Sequence, residues 1–257
     1  MDLPRSVERP SELFGVREWT ISASSTTIDH AHDPQLRLSR RPAAVVGDTL
    51  GIMTRELLST ADDGIARCGL VSDDPDYRRY HDDEWGRPLH GDSALFETIA
   101  LEGFQAGLSW ITILRRRPAF RSAFDGFSIE RVSQFDDPKI DELAVDSSII
   151  RNRQKIAATI MNARTIHQLV REKPGALDDL IWSHAPSSHR RPRTVDEVLT
   201  VTDASRALSK RLRSLGLTFV GPTTMHALMQ AAGLINDHAL GCTRGDQLEN
   251  EAARLSN

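Results

Sequence analysis

Apolar positions recur every three to four residues in several long segments of this chain, and almost nowhere every second residue. The first spacing lines one face of an α-helix and the second one face of a strand. Asp92 or Ser93 can N-cap a helix whose apolar surface is Leu95, Phe96, Ile99, Ala100 and Leu101, ending near residues 103–107. Residues 152–172 form the longest amphipathic run, with Ile156, Ile160, Ala163 and Val170 on one stripe and Pro174-Gly175 as its stop. Residues 203–215 form another, turning Ala204, Leu208, Leu212 and Leu215 inward. The predicted fold class is all-α. Residues 1–66 lack a long periodic segment and read as a poorly ordered extension, with a short helix around 53–58. Met53, just ahead of the patterned region, is a candidate translation start. The patterned domain runs over 67–244, and 245–257 reads as a tail.

One residue breaks the apolar pattern. At helical spacing Leu95, Ile99, Glu102 and Ala106 share a stripe, so Glu102 stands where a core residue belongs. A buried carboxylate is costly unless it is paired or functional. Both tyrosines and two of the four tryptophans lie between Tyr77 and Trp110, although aromatic residues are 5% of the chain. Concentrated aromatics around a misplaced acid suggest a pocket for a planar polar ligand, with Trp110 as a stacking surface. The same pattern also fits a helix-end glutamate that reaches water.

The chain has only two cysteines, each near a histidine: Cys68-(x12)-His81 and His238-(x3)-Cys242. Two thiolates and two imidazoles complete a closed tetrahedral zinc site. The second pair, four residues apart, would share one face of a helical turn. Such a metal would clip the start of the domain to its end. Two buried thiols beside two ordinary histidines fit the spacing equally well.

After residue 203 the chain reads helix, glycine-bounded link, helix. Gly216 can take the left-handed conformation that ends the first helix, and Pro222, after Gly221, suits the first turn of the next. The open N–H groups of that second helix, at Thr223 and Thr224, could grip a phosphate; an ordinary αα-hairpin has the same signature. The net charge of -4 gives no bulk case for nucleic acid. Positive charge is nevertheless clustered at 115–117, 151–155, 190–193 and 206–213, runs that read as solvated faces and permit DNA binding. With two cysteines a disulfide framework is excluded, and no apolar run is long enough to span a bilayer. The first fifteen residues carry Arg, Glu and Pro where an export signal needs an apolar core, so the expected location is the cytosol.

These motifs lie in an order that resembles the DNA-3-methyladenine glycosylase I family. The resemblance rests on Arg67-Cys68-Gly69, on Tyr80 to Gly86, on Leu101-Glu102-Gly103-Phe104-Gln105-Ala106-Gly107-Leu108-Ser109-Trp110, on Phe219 to Thr224 and on Gly233 to His238. It implies a helix-hairpin-helix DNA glycosylase fold with one structural zinc per chain on Cys68, His81, His238 and Cys242. It implies a base-recognition glutamate at Glu102, a stacking tryptophan at Trp110 and a pocket tyrosine at Tyr80. The DNA-gripping hairpin maps to about Gly216–Thr224, including Gly221, Thr223 and Thr224, and the exposed loop offers Leu108 as a wedge beside a flipped base. The implied activity is hydrolysis of the N-glycosidic bond of 3-methyladenine in alkylated double-stranded DNA, by a monomer without a lyase step and without a membrane partner. The lysines at 139, 155, 173 and 210 read as surface residues, and Asp237 reads as structural. This chain departs from the family at Leu70 (usually Trp), Phe104 (commonly Gln) and Met225-His226 (usually Cys-Tyr). Two rival readings remain: a zinc-stabilised damage binder that cuts nothing, and a glycosylase shifted toward 3-methylguanine through Phe104.

Overall fold

The computed structural model describes residues 57–69, 71 and 73–255. The expected helix start and the candidate Met53 start lie outside the described residues, as does Leu70. The described residues belong to one compact unit, Ile52–Asn257. They form β1 (Leu58–Thr60), β2 (Ala66–Cys68), α1 (Pro75–Asp83), α2 (Asp92–Gln105), α3 (Trp110–Ala123), α4 (Ile129–Ser133) and α5 (Asp137–Val145). The chain continues through α6 (Arg153–Glu172), α7 (Ala176–Trp182), α8 (Asp203–Ser214), α9 (Pro222–Ala231) and α10 (Thr243–Leu255).

The fold is therefore mostly helical, with two small corrections at its ends. β1 and β2 pair antiparallel, Leu58 against Cys68 and Thr60 against Ala66. Strands of three residues are too short for period-two alternation to register in a sequence, so residues 58–66 read there as part of the extension. Residues 245–255, read as a tail, continue as α10, whose Leu248 is buried.

α2 lies at the centre, packed by α3, α6, α7 and α9. Every residue from Leu95 to Phe104 except Glu97 and Thr98 is buried. A helix enclosed on all sides is apolar all round rather than striped. The stripe argument thus understates the burial of Glu102, which holds whichever face it occupies. The expected N-cap is also revised. Gly91 caps α2, with φ 99°, while the Asp92 carboxylate accepts hydrogen bonds from Gly175 N, Leu177 N and Asp178 N at 2.7, 3.0 and 3.1 Å. Asp92 thereby closes the N-terminus of α7, a partner that a local capping rule does not see.

The other helices follow their patterns closely. Asn152 caps α6 by accepting from Lys155 N, and Ile156, Ile160 and Ala163 are buried along it. α8 turns Leu208 and Leu212 into the core and gives way to Gly216 at φ 97°; Pro222 occupies the first turn of α9. α9 ends at Gly233, with φ 71°, where the backbone of Arg87 and Pro88 passes. A Cβ there would lie 2.5 Å from the Arg87 carbonyl carbon. Gly233→Ala should therefore destabilise the protein by about 2–4 kcal/mol in urea unfolding, because strain and a backbone clash add; a loss below about 0.5 kcal/mol would contradict this close approach.

Candidate active site and metal centre

Four ligand-type side chains converge from three parts of the fold. Cys68 ends β2, His81 lies on α1, and His238 and Cys242 lie between α9 and α10. Their ligand atoms all fall within 4.8 Å of one another, and all four residues are buried. Nδ1 of His238 is 3.1 Å from Nε2 of His81, 3.6 Å from Cys68 Sγ and 3.5 Å from Cys242 Sγ; Cys242 Sγ is 3.6 Å from His81 Nε2. Metal bonds of about 2.0–2.3 Å give a tetrahedron edges of roughly this length. The last two ligands do not share a helical face as expected. Gly241, with φ 89°, turns the chain between them, and Cys242 N donates to Ala239 O.

The surroundings orient both rings. His238 Nε2 faces the Trp85 carbonyl at 3.1 Å, so it carries the proton and Nδ1 presents a lone pair inward. His81 Nδ1 is 2.8 Å from Asp82 Oδ1, which leaves Nε2 free for a metal. Asp82 is fixed in turn by Arg67, whose Nε and Nη2 donate to Asp82 Oδ2 at 2.9 and 2.7 Å. Ala239 N donates to Cys68 Sγ at 3.2 Å. The donor set and its supports fit a metal ion.

Arg191, in a run expected to face solvent, is buried beside this cluster. Its Nε donates to His238 O at 3.0 Å and its Nη2 to Ala239 O at 2.6 Å and Cys242 O at 3.3 Å. Its Nη1 meets Asp246 and Glu249 of α10 at 2.6 and 3.0 Å. A Cβ on Gly245 would come within 2.4 Å of Arg191 Nη2, so the glycine makes room for the guanidinium. The run at 115–117 is likewise committed: Arg115 pairs with Asp74 and Arg117 with Glu84.

Next to the cluster opens a cavity of about 300 Å³, lined by Tyr80, Trp85, Glu102, Gln105, Trp110 and Asp237 among others. Cys68 and His81 form part of its wall, so metal cluster and cavity share side chains. Tyr80 and Trp110 meet with ring centroids 5.2 Å apart at 47°. Glu102 is 5% exposed, and its Oε2 has no hydrogen-bond partner. Burial alone pushes its carboxyl up to about 8. Burial also holds the Tyr80 phenol well above its usual value, so it remains a neutral hydroxyl. Leu108 is 42% exposed in the loop between α2 and α3. Gly216 and Gly221 bound a separate turn between α8 and α9, Thr223 and Thr224 lie in the first turn of α9, and no side chain caps the helix at Gly221.

Two lining residues, Gln105 and Gln230, had no role assigned from sequence, and Asp237, expected to be structural, lines the same cavity. Gln105 follows Glu102 by one helical step, i to i+3, and faces the same space. Gln230 is a polar residue in the apolar run of α9, and its Nε2 donates to Asp237 Oδ2 at 2.7 Å. Asp237 also accepts from His189 Nε2 at 2.7 Å, while His226 Nε2 stands 3.4 Å away without completing a bond. Burial opposes its charge, but His189, the nearby His226 and Gln230 together outweigh that and hold Asp237 below the usual carboxylate range. Phe104, by contrast, packs in the core against Phe120 and Phe124, centroids 4.6 and 6.0 Å away. It is not among the described residues that line this cavity.

A family model described as methyladenine glycosylase matches residues 70–245. The chain belongs to this family. It is 46% identical over 180 residues to DNA-3-methyladenine glycosylase 1 of Escherichia coli (strain K12), covering 68% of this chain and 95% of that one. It is 42% identical over 180 residues to DNA-3-methyladenine glycosylase of Haemophilus influenzae, covering 68% of this chain and 96% of the other. A crystal structure of 3-methyladenine DNA glycosylase I superposes with TM-score 0.66 at 41% identity, over 69% of this chain and 98% of its own. The enzyme of Staphylococcus aureus, solved to explain its recognition of 3-methyladenine, superposes with TM-score 0.64 at 34% identity, over 68% of this chain and 93% of its own. The methyladenine glycosylase chain described here is accordingly an enzyme acting on N-glycosyl bonds in DNA.

The raised pKa of Glu102 has a measurable sign. Between about pH 4.5 and 8 the native carboxyl keeps a proton that the unfolded chain releases, so stability falls as pH rises through that window. Glu102→Gln removes the effect. In urea unfolding the variant should gain about 3 kcal/mol on the wild type between about pH 5 and 8; parallel stability curves would show that Glu102 is not buried as an acid.

Proposed function

We propose that the enzyme excises 3-methyladenine from alkylated duplex DNA by hydrolysis, leaving an intact abasic site. The observation that carries this reading is the buried Glu102 carboxyl, whose Oε2 has no hydrogen-bond partner, in an aromatic cavity. A base within the duplex is out of reach, so the damaged nucleotide must swing into the cavity. Methylation at N3 gives adenine a positive charge. In an enclosed site that charge supplies the counterion Glu102 lacks and returns the carboxylate to its ionised form. An undamaged purine brings no charge and leaves Glu102 protonated. Selection therefore rests on charge as well as shape.

Trp110 stacks on the flipped base, Tyr80 closes the slot, and Glu102 accepts hydrogen bonds from the exocyclic amine and base edge. The cationic base is already a good leaving group, so little acid catalysis is needed. Positive charge passes to an oxocarbenium-like sugar as the bond opens, and DNA phosphates together with the site's field stabilise it before water attacks. Asp237 keeps a structural role, since its oxygens are engaged by His189 and Gln230. Among the described residues that line the cavity there is no lysine, which supports a reaction without a Schiff base. Leu108 enters the gap left by the flipped nucleotide, and the hairpin at 216–224 holds a phosphate through the open N–H groups of Thr223 and Thr224. The enzyme acts on double-stranded DNA as a monomer in the cytosol.

Cys68, His81, His238 and Cys242 would hold one zinc per chain. With four protein ligands it would supply structure and take no part in the chemistry.

Incubation with methylated duplex DNA should release free 3-methyladenine and leave a product that borohydride does not trap on the protein. Glu102→Ala should lower kcat/KM about 100-fold or more with the fold retained. A folded wild type that frees no such base, or an unaffected Glu102→Ala, sinks the proposal. Elemental analysis should find one zinc per chain, and Cys242→Ser should lose it with a fall in Tm of about 10 °C. Metal-free protein of unchanged Tm would refute the zinc assignment.

A further inference from the structure

Two side chains on one face of α6 reach the two segments that the proposed function sets against DNA. Lys155, expected at the surface, is 8% exposed. Its Nζ donates to Phe104 O at 2.9 Å and Ala106 O at 2.6 Å. These carbonyls close the C-terminus of α2, where the intrahelical ladder runs out and the dipole favours a cation. The loop beginning there carries Leu108 and leads to Trp110. Seven residues along α6, Asn162 clasps the hairpin tip: its Oδ1 accepts from Thr218 N at 2.9 Å and its Nδ2 donates to Thr218 O at 3.0 Å. Residues i and i+7 share a helix face and stand about 10 Å apart along its axis. Between them Thr159 turns its hydroxyl back onto Lys155 O at 2.9 Å, so it takes no partner from either segment.

The loop and the hairpin also touch without α6. A Cβ on Gly103 would lie 3.5 Å from Phe219 Cβ, and Phe219 adopts a left-handed φ of 57°. The hairpin thus abuts α2 one residue from Glu102, in a backbone conformation that only surrounding contacts sustain. Burying an ammonium merely to close a helix is costly when a glycine cap or water would serve. Its use here fits a demand for position.

We infer that Lys155 and Asn162 are positioning residues which, through α6, fix the spacing between the Leu108 loop and the hairpin at 216–224. One duplex can then meet the wedge and the phosphate grip together. The inference rests on the proposed DNA roles of those two segments.

The test is a double-mutant cycle in the full-length enzyme on duplex DNA carrying one lesion, with kcat, KM, Tm and affinity for free 3-methyladenine measured. Lys155→Met and Asn162→Ala should each raise KM for DNA about tenfold with kcat within about threefold. Releasing one anchor already frees the spacing, so the double variant should be no more than about twofold worse than the poorer single. Affinity for the free base should change by at most about threefold, well short of the change in KM, because Tyr80 and Glu102 lie outside the released loop, and Lys155→Arg, which can still donate to both carbonyls, should restore KM. If Lys155→Met does not fold, Lys155→Gln, which keeps a donor, takes its place in the cycle. Single variants with wild-type KM, a double loss of about 100-fold that marks independent supports, or free-base affinity and Tm falling in step with KM would each overturn the inference. A wild type that releases no 3-methyladenine defeats the functional reading instead, and the cycle is then scored on affinity for a duplex with an abasic site.

Discussion

An acid in an apolar interior with no partner is among the most expensive single features a small domain can carry, and most of this structure serves to keep Glu102 in that state. α2 is packed by α3, α6, α7 and α9, which keeps the carboxyl nearly covered at the wall of the cavity. Its two ends are fixed by groups distant in sequence, Asp92 reaching α7 at one and Lys155 reaching from α6 at the other. The unmet need of the acid is what gives the cavity its chemistry. A neutral slot of the same shape would hold a flat ring without distinguishing its charge.

The second organising element is the Cys/His cluster, which draws together β2, α1 and the segment ahead of α10. It is more than four side chains. Asp82 and Arg67 orient one ring, the Trp85 carbonyl orients the other, and Arg191 gathers three backbone carbonyls behind the last two ligands. Since Cys68 and His81 also line the cavity, closing the domain and shaping the site are one structural act.

Much of this was legible in the sequence where the signal is local. Helical spacing located α2, α6 and α8, glycine and proline marked the α8–α9 hairpin, and the odd placement of Glu102 and the four metal-type ligands stood out by chemistry. What escaped depends on partners far along the chain. Lys155 and Arg191 sit in basic runs that ordinarily face water, and only the carbonyl groups converging from other elements make their burial tolerable. Asp92 has the composition of a local cap and caps another helix. β1 and β2 are too short to show a period, and the turn at Gly241 overrides the helical face that a four-residue spacing suggests. Gln230 and Asp237 gain meaning only from the cavity wall they share.

Arg191 carries a consequence for the chain beyond the family match. The family match stops at residue 245, yet the carboxylates that neutralise the buried guanidinium, Asp246 and Glu249, lie past that limit. A polypeptide trimmed to the matched region would strand a positive charge against the backbone of His238 and Cys242. The buried guanidinium thus ties α10 to the backbone that presents the last two metal-type ligands.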